Sequence, residues 1–185
     1  QVVAVDASSK ALALAAANAD RHLAAGGAAG GSRARLALRR LDWRDPAACR
    51  ALREEFGPFH VVVVADGVSA AGPAGPMWRR DGGLGESAAS PPGPLLDATR
   101  ELAEGGTEVI FAVADRAGDV RATARALLER RHAVDLVAAP REMAPAPGAD
   151  GAPAADGAPV TVFHFRWRGA AGLGGEVTRQ LWGAL

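Results

Sequence analysis

Three acidic side chains in this chain directly follow apolar segments that are typical of β-strands: Asp6, Asp42 and Asp66. The C-terminal ends of parallel strands meet at one edge of a sheet, and ligands of open α/β sheets bind outside that edge. A carboxylate in this position can accept hydrogen bonds from the hydroxyls of a ribose. The three acids therefore predict a nucleoside site along one sheet edge.

Each acid suits a different part of such a ligand. Asp6 can accept both ribose hydroxyls, Asp42 can accept from an adenine amino group, and the Trp43 indole can stack on the adenine ring or pack under the loop. Asp66 follows the most apolar segment, where the reactive end of the ligand would meet a substrate. Each acid also has a simpler interpretation, as the N-cap of the following helix or as a turn residue.

Other kinds of catalytic site find no support in the sequence. The four histidines show no metal-ligand spacing, and a single cysteine, Cys49, allows neither an intrachain disulfide nor a zinc cluster. Ser69 and Ser90 lack the Gly-x-Ser-x-Gly context of a hydrolase. No glycine-rich phosphate loop follows a strand, and we therefore expect neither a bound metal nor a hydrolase triad.

The composition is that of one folded domain without a strong overall charge. Its 185 residues include 21 basic and 21 acidic side chains, so charge favours neither nucleic acid nor an anionic membrane as a partner. No apolar run approaches the ~20 residues of a membrane helix. We expect a cytoplasmic protein, with the nucleus as the alternative, and a reducing compartment fits the single cysteine.

The elements that position the acids alternate between strand and helix. We predict strands at 2–5, 34–41, 59–65, 108–114, 133–138 and 160–167, and helices at 7–25, 45–56, 95–104 and 119–131. Strands separated by helices predict an α/β fold with a mostly parallel sheet and helices on both faces. Four consecutive valines at 61–64 suit a central strand covered on both faces. The last two strands lack a helix between them and predict an antiparallel closing pair.

Two segments with little sequence information interrupt this pattern. Residues 67–94 are rich in Gly, Pro and Ser and are predicted to form a long loop. Residues 139–159 are of low complexity and predict an unstructured excursion between the last two strands. We assign 1–168 to one domain and 169–185 to a C-terminal tail.

Four stretches, taken in order, resemble the class I methyltransferases that use S-adenosylmethionine. They are VVAVDAS, RRLDWRDP, FHVVVVADGVS and PLLDATRELAEGGTEVIFAVADR. More narrowly, the chain resembles the seven-strand protein-lysine methyltransferases (methyltransferase family 16 type). The resemblance spans nearly the whole chain. It implies a Rossmann-like fold, S-adenosylmethionine as the cofactor, and methyl transfer to a lysine side chain of a protein partner.

The resemblance also assigns roles to the residues near the cofactor. Asp6 matches the acid that holds the ribose, and Asn18 matches the Asn that closes the following helix. Asp42 and Trp43 match the Leu-Asp-Trp segment near the adenine. Ala65 opens a segment that matches the family's Ala-Asp-x-x-Tyr and is assigned to cofactor binding.

The residues that follow Ala65 are assigned to catalysis and substrate binding by the same resemblance. Asp66 would hold the incoming amine near the methyl group. Ser69 takes the place of the Tyr that lines the lysine channel, and Arg116 matches an Arg that follows the fifth strand of the family. Methyl transfer would then be an in-line displacement onto a neutral amine that the protein aligns and desolvates.

Two features of the family have no counterpart in the sequence. No first strand with its glycine-rich loop precedes Val2, and the chain contains no Tyr. In the family, that strand would lie between the strands at 2–5 and 61–64, and its loop cradles the methionine part of the cofactor. We therefore expect a domain that is incomplete at its N-terminus, binds cofactor weakly by itself, and is a monomer.

Three other interpretations remain open. A methyltransferase-like domain without catalysis could serve as an interaction module, and the long low-complexity loops fit that reading. A class I methyltransferase acting on RNA or a small molecule would share the ribose acid, although a neutral net charge does not favour RNA. A nicotinamide-dependent enzyme would share it too, but the Leu-Asp-Trp and Ala-Asp-x-x segments have no counterpart there.

Overall fold

The computed structural model describes residues 1–25, 36–65, 76–78, 84–86, 92–114, 118–143 and 159–168. These residues form helices and strands that alternate through most of the chain. In order they are β1 (Val2–Asp6), α1 (Ser9–Ala25), β2 (Leu36–Arg40), α2 (Pro46–Phe56), β3 (Val61–Ala65), β4 (Pro76–Trp78), β5 (Leu84–Glu86), α3 (Pro92–Leu102), β6 (Glu108–Ala114), α4 (Asp119–Glu129), β7 (Val134–Met143) and β8 (Val160–Trp167).

The longer strands form two sheets. β1 and β2 run parallel, with Asp6 opposite Arg40. The larger sheet has the order β3-β6-β8-β7, in which β3 is parallel to β6 and β8 is antiparallel to both of its neighbours. The predicted α/β class and the antiparallel closing pair are confirmed. Within the described residues, one edge of β1 and one edge of β3 carry no partner strand.

The larger core cluster lies between the four-stranded sheet and the helices α3 and α4. Alternate side chains of β6, namely Val109, Phe111 and Val113, are buried in it. Its other members come from α3 and the residue that follows it, from α4, from β7 and from β8: Leu95, Leu96, Ala103, Ala126, Leu127, Val134, Leu136, Phe163, Phe165 and Trp167. This cluster holds the four-stranded sheet against its helical layer.

The smaller core cluster comprises five residues from the end of β2, from α2 and from α3: Leu41, Cys49, Leu52, Ala98 and Leu102. Val3 of β1 and Val62 of β3 both pack against this cluster. Trp43 and Val62 also pack against the larger cluster. The two sheets therefore rest on a common apolar support, although no described strand joins them.

Helix α2 begins where the Asp45-Pro46 pair predicts. The Asp45 carboxylate accepts hydrogen bonds from the backbone N–H groups of Ala47 and Ala48 at 3.0 and 3.2 Å. Pro46 opens the helix, where its missing N–H costs nothing because the first-turn N–H groups have no partner within the helix. Gly57 ends the helix, and its N–H donates to the Arg53 carbonyl at 2.7 Å.

The prediction that the valine-rich strand is central and covered on both faces is wrong for the described structure. β3 is the edge strand of its sheet. Val62 and Val64 pack into the core, but Val61 and Val63 are 47% and 66% exposed. Apolar residues at every position predict two covered faces, whereas the described elements cover only one.

The two low-information segments also contain more regular structure than their composition predicts. Within 67–94, β4 and β5 pair as an antiparallel hairpin, and α3 begins at Pro92 rather than at residue 95. Strand β7 continues to Met143, so 139–143 are strand rather than loop. Residues 144–158 and the tail at 169–185 lie outside the described residues.

Candidate functional site

Asp6 is the last residue of β1 and is exposed at the C-terminal end of that strand. Its Oδ1 accepts a hydrogen bond from the Ser8 backbone N–H at 2.6 Å, and the Ser8 hydroxyl accepts one from the Ala11 N–H at 3.3 Å. Ser8 therefore caps α1, and Asp6 shapes the turn before it. The Asp6 Oδ2 accepts no hydrogen bond from the described residues, so it is available to a ligand.

The ends of β1 and β2 are tied together beside Asp6. The Leu41 N–H donates to the Asp6 carbonyl at 3.1 Å, and Arg40 Nε donates to the Ala7 carbonyl at 3.1 Å. Asp42 and Trp43 follow Leu41 directly. The structure thus brings three of the predicted site residues to the C-terminal ends of the two strands: Asp6, Asp42 and Trp43.

Asp42 is half-buried and is held by Arg44, two residues further on. Its Oδ1 accepts from the Arg44 backbone N–H at 3.1 Å and from Nε at 3.0 Å, and its Oδ2 accepts from Nη2 at 3.1 Å. The hydrogen bond from the Arg44 side chain to Asp42 is the main reason that the pKa of Arg44 is raised. The turn-forming role expected for Asp42 is present, because its side chain bonds the backbone two residues on.

The Trp43 indole is half-buried and packs against both core clusters. The guanidinium carbon of Arg44 lies 5.6 Å from the centroid of the Trp43 ring. This distance is within the range of a cation–π contact. Trp43 therefore fixes the loop after β2 to the core, as the packing interpretation predicts, while Arg44 lies over its ring.

The remaining predicted site residues are only partly described. Ala65 is the exposed last residue of β3 and pairs with Ala112 of β6. Asn18 is exposed on α1. Asp66, Ser69 and Arg116 lie outside the described residues, and their roles stay predictions.

The structure also contains an ionic group that the sequence did not single out. Glu108, the first residue of β6, lies 3.0 Å from His164 Nε2 and also pairs with Arg166. Hydrogen bonds from Arg166 and then from His164 lower the pKa of the Glu108 carboxyl. Side chains alternate between the two faces of a strand, so His164 and Arg166 of β8 lie on one face of the sheet. Only the register with β6, which pairs Glu108 with Arg166, brings Glu108 to both of them. Glu108 begins β6 and Ala65 ends the parallel strand β3, so this ionic group and Ala65 lie at opposite ends of the two strands.

The described residues contain neither a candidate metal centre nor a membrane-spanning helix. No group of three or more potential ligands among them could hold a metal ion. No helix among the described residues is both long enough and apolar enough to cross a membrane.

The residues at this edge fit the adenosine part of a nucleoside cofactor. Asp6 offers carboxylate oxygens to ribose hydroxyls. Asp42, two residues beyond the neighbouring strand β2, offers an acceptor for an exocyclic amino group. Trp43 supplies an aromatic face.

Comparison with known proteins agrees with this geometry at the level of the fold. The chain is similar to the crystal structure of a SAM-dependent methyltransferase from Anabaena variabilis ATCC 29413, with a TM-score of 0.52 and 13% sequence identity. The similarity covers 91% of this chain and 68% of that chain. The chain therefore shares the Rossmann-like α/β fold of that structure. No family model and no curated protein matches the sequence.

Proposed function

We propose that this chain binds S-adenosylmethionine and takes part in methyl transfer to a lysine side chain of a protein. The observation that carries the proposal is the position of Asp6 beside Asp42 and Trp43 at the C-terminal edge of β1 and β2. The methyltransferase-like fold supports it, since ligands of such sheets bind at this edge. The lysine substrate rests on the sequence resemblance around Ala65 and Asp66.

In this proposal the described residues bind and orient the adenosine. Asp6 accepts the ribose hydroxyls, while its Oδ1 keeps the turn bond to Ser8. Asp42 accepts from the adenine amino group, and Trp43 packs against the ring. When bound, the cofactor supplies an electrophilic methyl group, and Asp66 is proposed to hold the neutral lysine amine that attacks it.

In the described residues β1 and β3 belong to separate sheets, and this separation bears on the affinity for the cofactor. A strand that paired with the open edges of both β1 and β3 would satisfy the backbone groups on those edges. Unpaired backbone groups of this kind are costly when they are buried. We therefore propose that the described residues alone bind the cofactor weakly, and that a strand at this position strengthens binding.

The decisive experiment is a titration with S-adenosylhomocysteine up to millimolar concentration, monitored by calorimetry and ligand-observed NMR. Asp6→Asn is the informative variant, because the amide oxygen can still accept from the Ser8 N–H while the second acceptor for the ribose is lost. We expect a loss of affinity of about tenfold or more, since an unpaired ligand hydroxyl is costly. Asp20→Asn, an exposed acid on α1, is the matched control and should bind like the wild type.

A titration in which the wild type shows no response, or in which Asp6→Asn and Asp20→Asn bind equally well, would contradict the cofactor proposal. The division of roles is tested by Asp66→Ala. This variant should lose methylation of a lysine-bearing protein while it keeps most of its affinity for S-adenosylhomocysteine. Equal losses of affinity in Asp6→Asn and Asp66→Ala would show that Asp66 also belongs to the cofactor site.

A second candidate function, an interaction module without catalysis, is favoured by one observation. The Val61 and Val63 side chains are 47% and 66% exposed on one face of β3, and exposed apolar patches often mark interaction surfaces. Absence of S-adenosylhomocysteine binding in a chain that remains folded would favour this alternative.

A further inference from the structure

Arg44 already makes both of the contacts that the proposed function assigns to an adenine ring. Its Nε and Nη2 donate to the two carboxylate oxygens of Asp42 at 3.0 and 3.1 Å. Its guanidinium carbon lies 5.6 Å from the centre of the Trp43 ring. A guanidinium is planar, donates in pairs to carboxylates and stacks on aromatic faces. An aminopurine shares its planarity, its N–H donor and its preference for an aromatic surface.

The Arg44 side chain is also free to leave this position. It is 58% exposed, while the Asp42 side chain is 30% exposed. The loop does not depend on the guanidinium, because the Arg44 backbone N–H donates to Asp42 Oδ1 at 3.1 Å and the Asp45 N–H donates to the Asp42 carbonyl at 2.9 Å. Removal of the side chain would therefore uncover one face of the Trp43 ring and take one partner from the Asp42 carboxylate, without undoing the turn that presents them.

We propose that the Arg44 guanidinium occupies the adenine position before a ligand binds and must be displaced when the adenosine part of the ligand binds. Arg44 is then a competitor built into the chain, and it sets the affinity of the site. The inference rests on the proposed function, because it takes the adenine to lie between Asp42 and Trp43.

The expected effect on affinity is modest, since both contacts are at the surface. An exposed ion pair and an exposed cation–π contact together correspond to about a threefold to thirtyfold change in a binding constant. Arg44→Ala should tighten S-adenosylhomocysteine binding by about that factor. Added salt screens exposed ion pairs, so salt should tighten binding to the wild type more than binding to Arg44→Ala.

The matched control is Arg50→Ala. Arg50 is also an exposed arginine in an ion pair, with Glu101 at 3.2 Å, but it lies on α2 and its partner lies on α3 rather than in the loop after β2. It should leave the affinity and its salt dependence unchanged. Arg44→Lys keeps the charge and loses the planar fork, so its affinity should fall between those of the wild type and Arg44→Ala.

A measurement without ligand tests whether Arg44 covers Trp43 in solution. Acrylamide quenching of Trp43 fluorescence, obtained by difference from the Trp43→Phe variant, should increase in Arg44→Ala and stay unchanged in Arg50→Ala. Unchanged quenching in Arg44→Ala would overturn the proposal, because the guanidinium would then not occupy the ring face.

The outcomes separate this inference from the proposed function. If Asp6→Asn weakens S-adenosylhomocysteine binding but Arg44→Ala leaves it unchanged or weakens it, Arg44 is not a competitor and the proposed function stands. If no variant binds S-adenosylhomocysteine, the proposed function fails and the displacement fails with it. Tighter binding of S-adenosylhomocysteine by Arg44→Ala, together with increased quenching of Trp43, supports both the displacement of Arg44 and the proposed function.

Discussion

Cys49 lies at the centre of the smaller core cluster with none of its surface exposed. Burial is the first cause of the raised pKa of its thiol, and the nearby acids add to it. The thiolate is the reactive form of cysteine, so a buried thiol with a raised pKa reacts slowly. We expect the native chain to react with a thiol reagent only as fast as α2 separates from the core, and at once in denaturant. Fast labelling without denaturant would show that the cluster is open in solution.

The ionic group at the start of β6 predicts a pH dependence of stability. Because Arg166 and His164 lower the pKa of Glu108 in the folded chain, this carboxylate stabilises the fold above its unfolded pKa of about 4.3. That contribution is lost as the pH falls through the lower folded pKa. Glu108→Gln should therefore have a lower melting temperature than the wild type at neutral pH. Its melting temperature should also fall less than that of the wild type between about pH 5 and pH 3.

The control for this experiment is Glu129→Gln, since Glu129 pairs with Arg125 in an ion pair whose side chains are 61% and 83% exposed. Exposed pairs of this kind contribute little to stability. Melting curves of the control should follow the wild type at every pH. The same pH dependence in Glu108→Gln and in the wild type would assign the acid sensitivity to other carboxylates.

At the residue scale the sequence could predict acids at strand ends but not the residues that compete for them. The positions of Asp6 and Asp42 follow from where strands end in an α/β pattern. The contact of Arg44 with Trp43 depends on the shape of a turn, and an Arg-rich sequence makes any one arginine uninformative. Glu108 was missed because its partners lie 56 and 58 positions away in the chain.

Gly57 ends α2 at a position with no room for a side chain. A Cβ placed there would lie 2.6 Å from the Arg53 carbonyl oxygen and 2.9 Å from its Cγ. The carbonyl belongs to the helix and cannot move without lengthening its last hydrogen bond. We expect Gly57→Ala to destabilise the chain by about 1–3 kcal/mol, measured by urea unfolding.

Gly105 provides the control for the Gly57 prediction. It lies in the loop before β6, and a Cβ added there would meet nothing within 4 Å. Gly105→Ala should change the free energy of unfolding by less than about 0.5 kcal/mol, as is usual for surface substitutions. Equal effects of the two substitutions would show that the loss at Gly57 does not come from the close approach to Arg53.

At the element scale the sequence predicted the strands and helices of the domain, and it failed where long-range pairing decides. Four consecutive valines could not reveal that, within the described residues, β3 has a partner strand on one side only. The β4–β5 hairpin was missed because glycine and proline dominate its surroundings. β7 continues to Met143 because β8 pairs with it through two register shifts, and periodicity does not predict such irregular pairing.

The exposed valines of β3 have a consequence for the molecule as a whole. An edge strand with free backbone groups and apolar side chains can pair with another copy of itself. We expect Val63→Lys to reduce concentration-dependent self-association in sedimentation velocity experiments, because a charged side chain on the edge disfavours such pairing. Leu14→Lys replaces an apolar side chain that is 64% exposed on α1 rather than on a strand edge, and it should have no such effect.

A strictly monomeric wild type at every concentration would contradict this role of β3. It would instead agree with the monomer that the sequence predicts and that the structure does not test. A reduction of self-association by both lysine variants would show a general effect of added charge.

The division into two sheets also determines how the molecule opens from its native state. In the described residues no backbone hydrogen bond joins β1 or β2 to the four-stranded sheet, whereas β6 is paired on both sides. Amide hydrogens of the β1–α1–β2 unit should therefore exchange with solvent through partial unfolding, at a lower free energy than those of β6. Asp6 lies on the unit that should open first, and Asp42 lies two residues after it, so an adenosine ligand should slow exchange most strongly there.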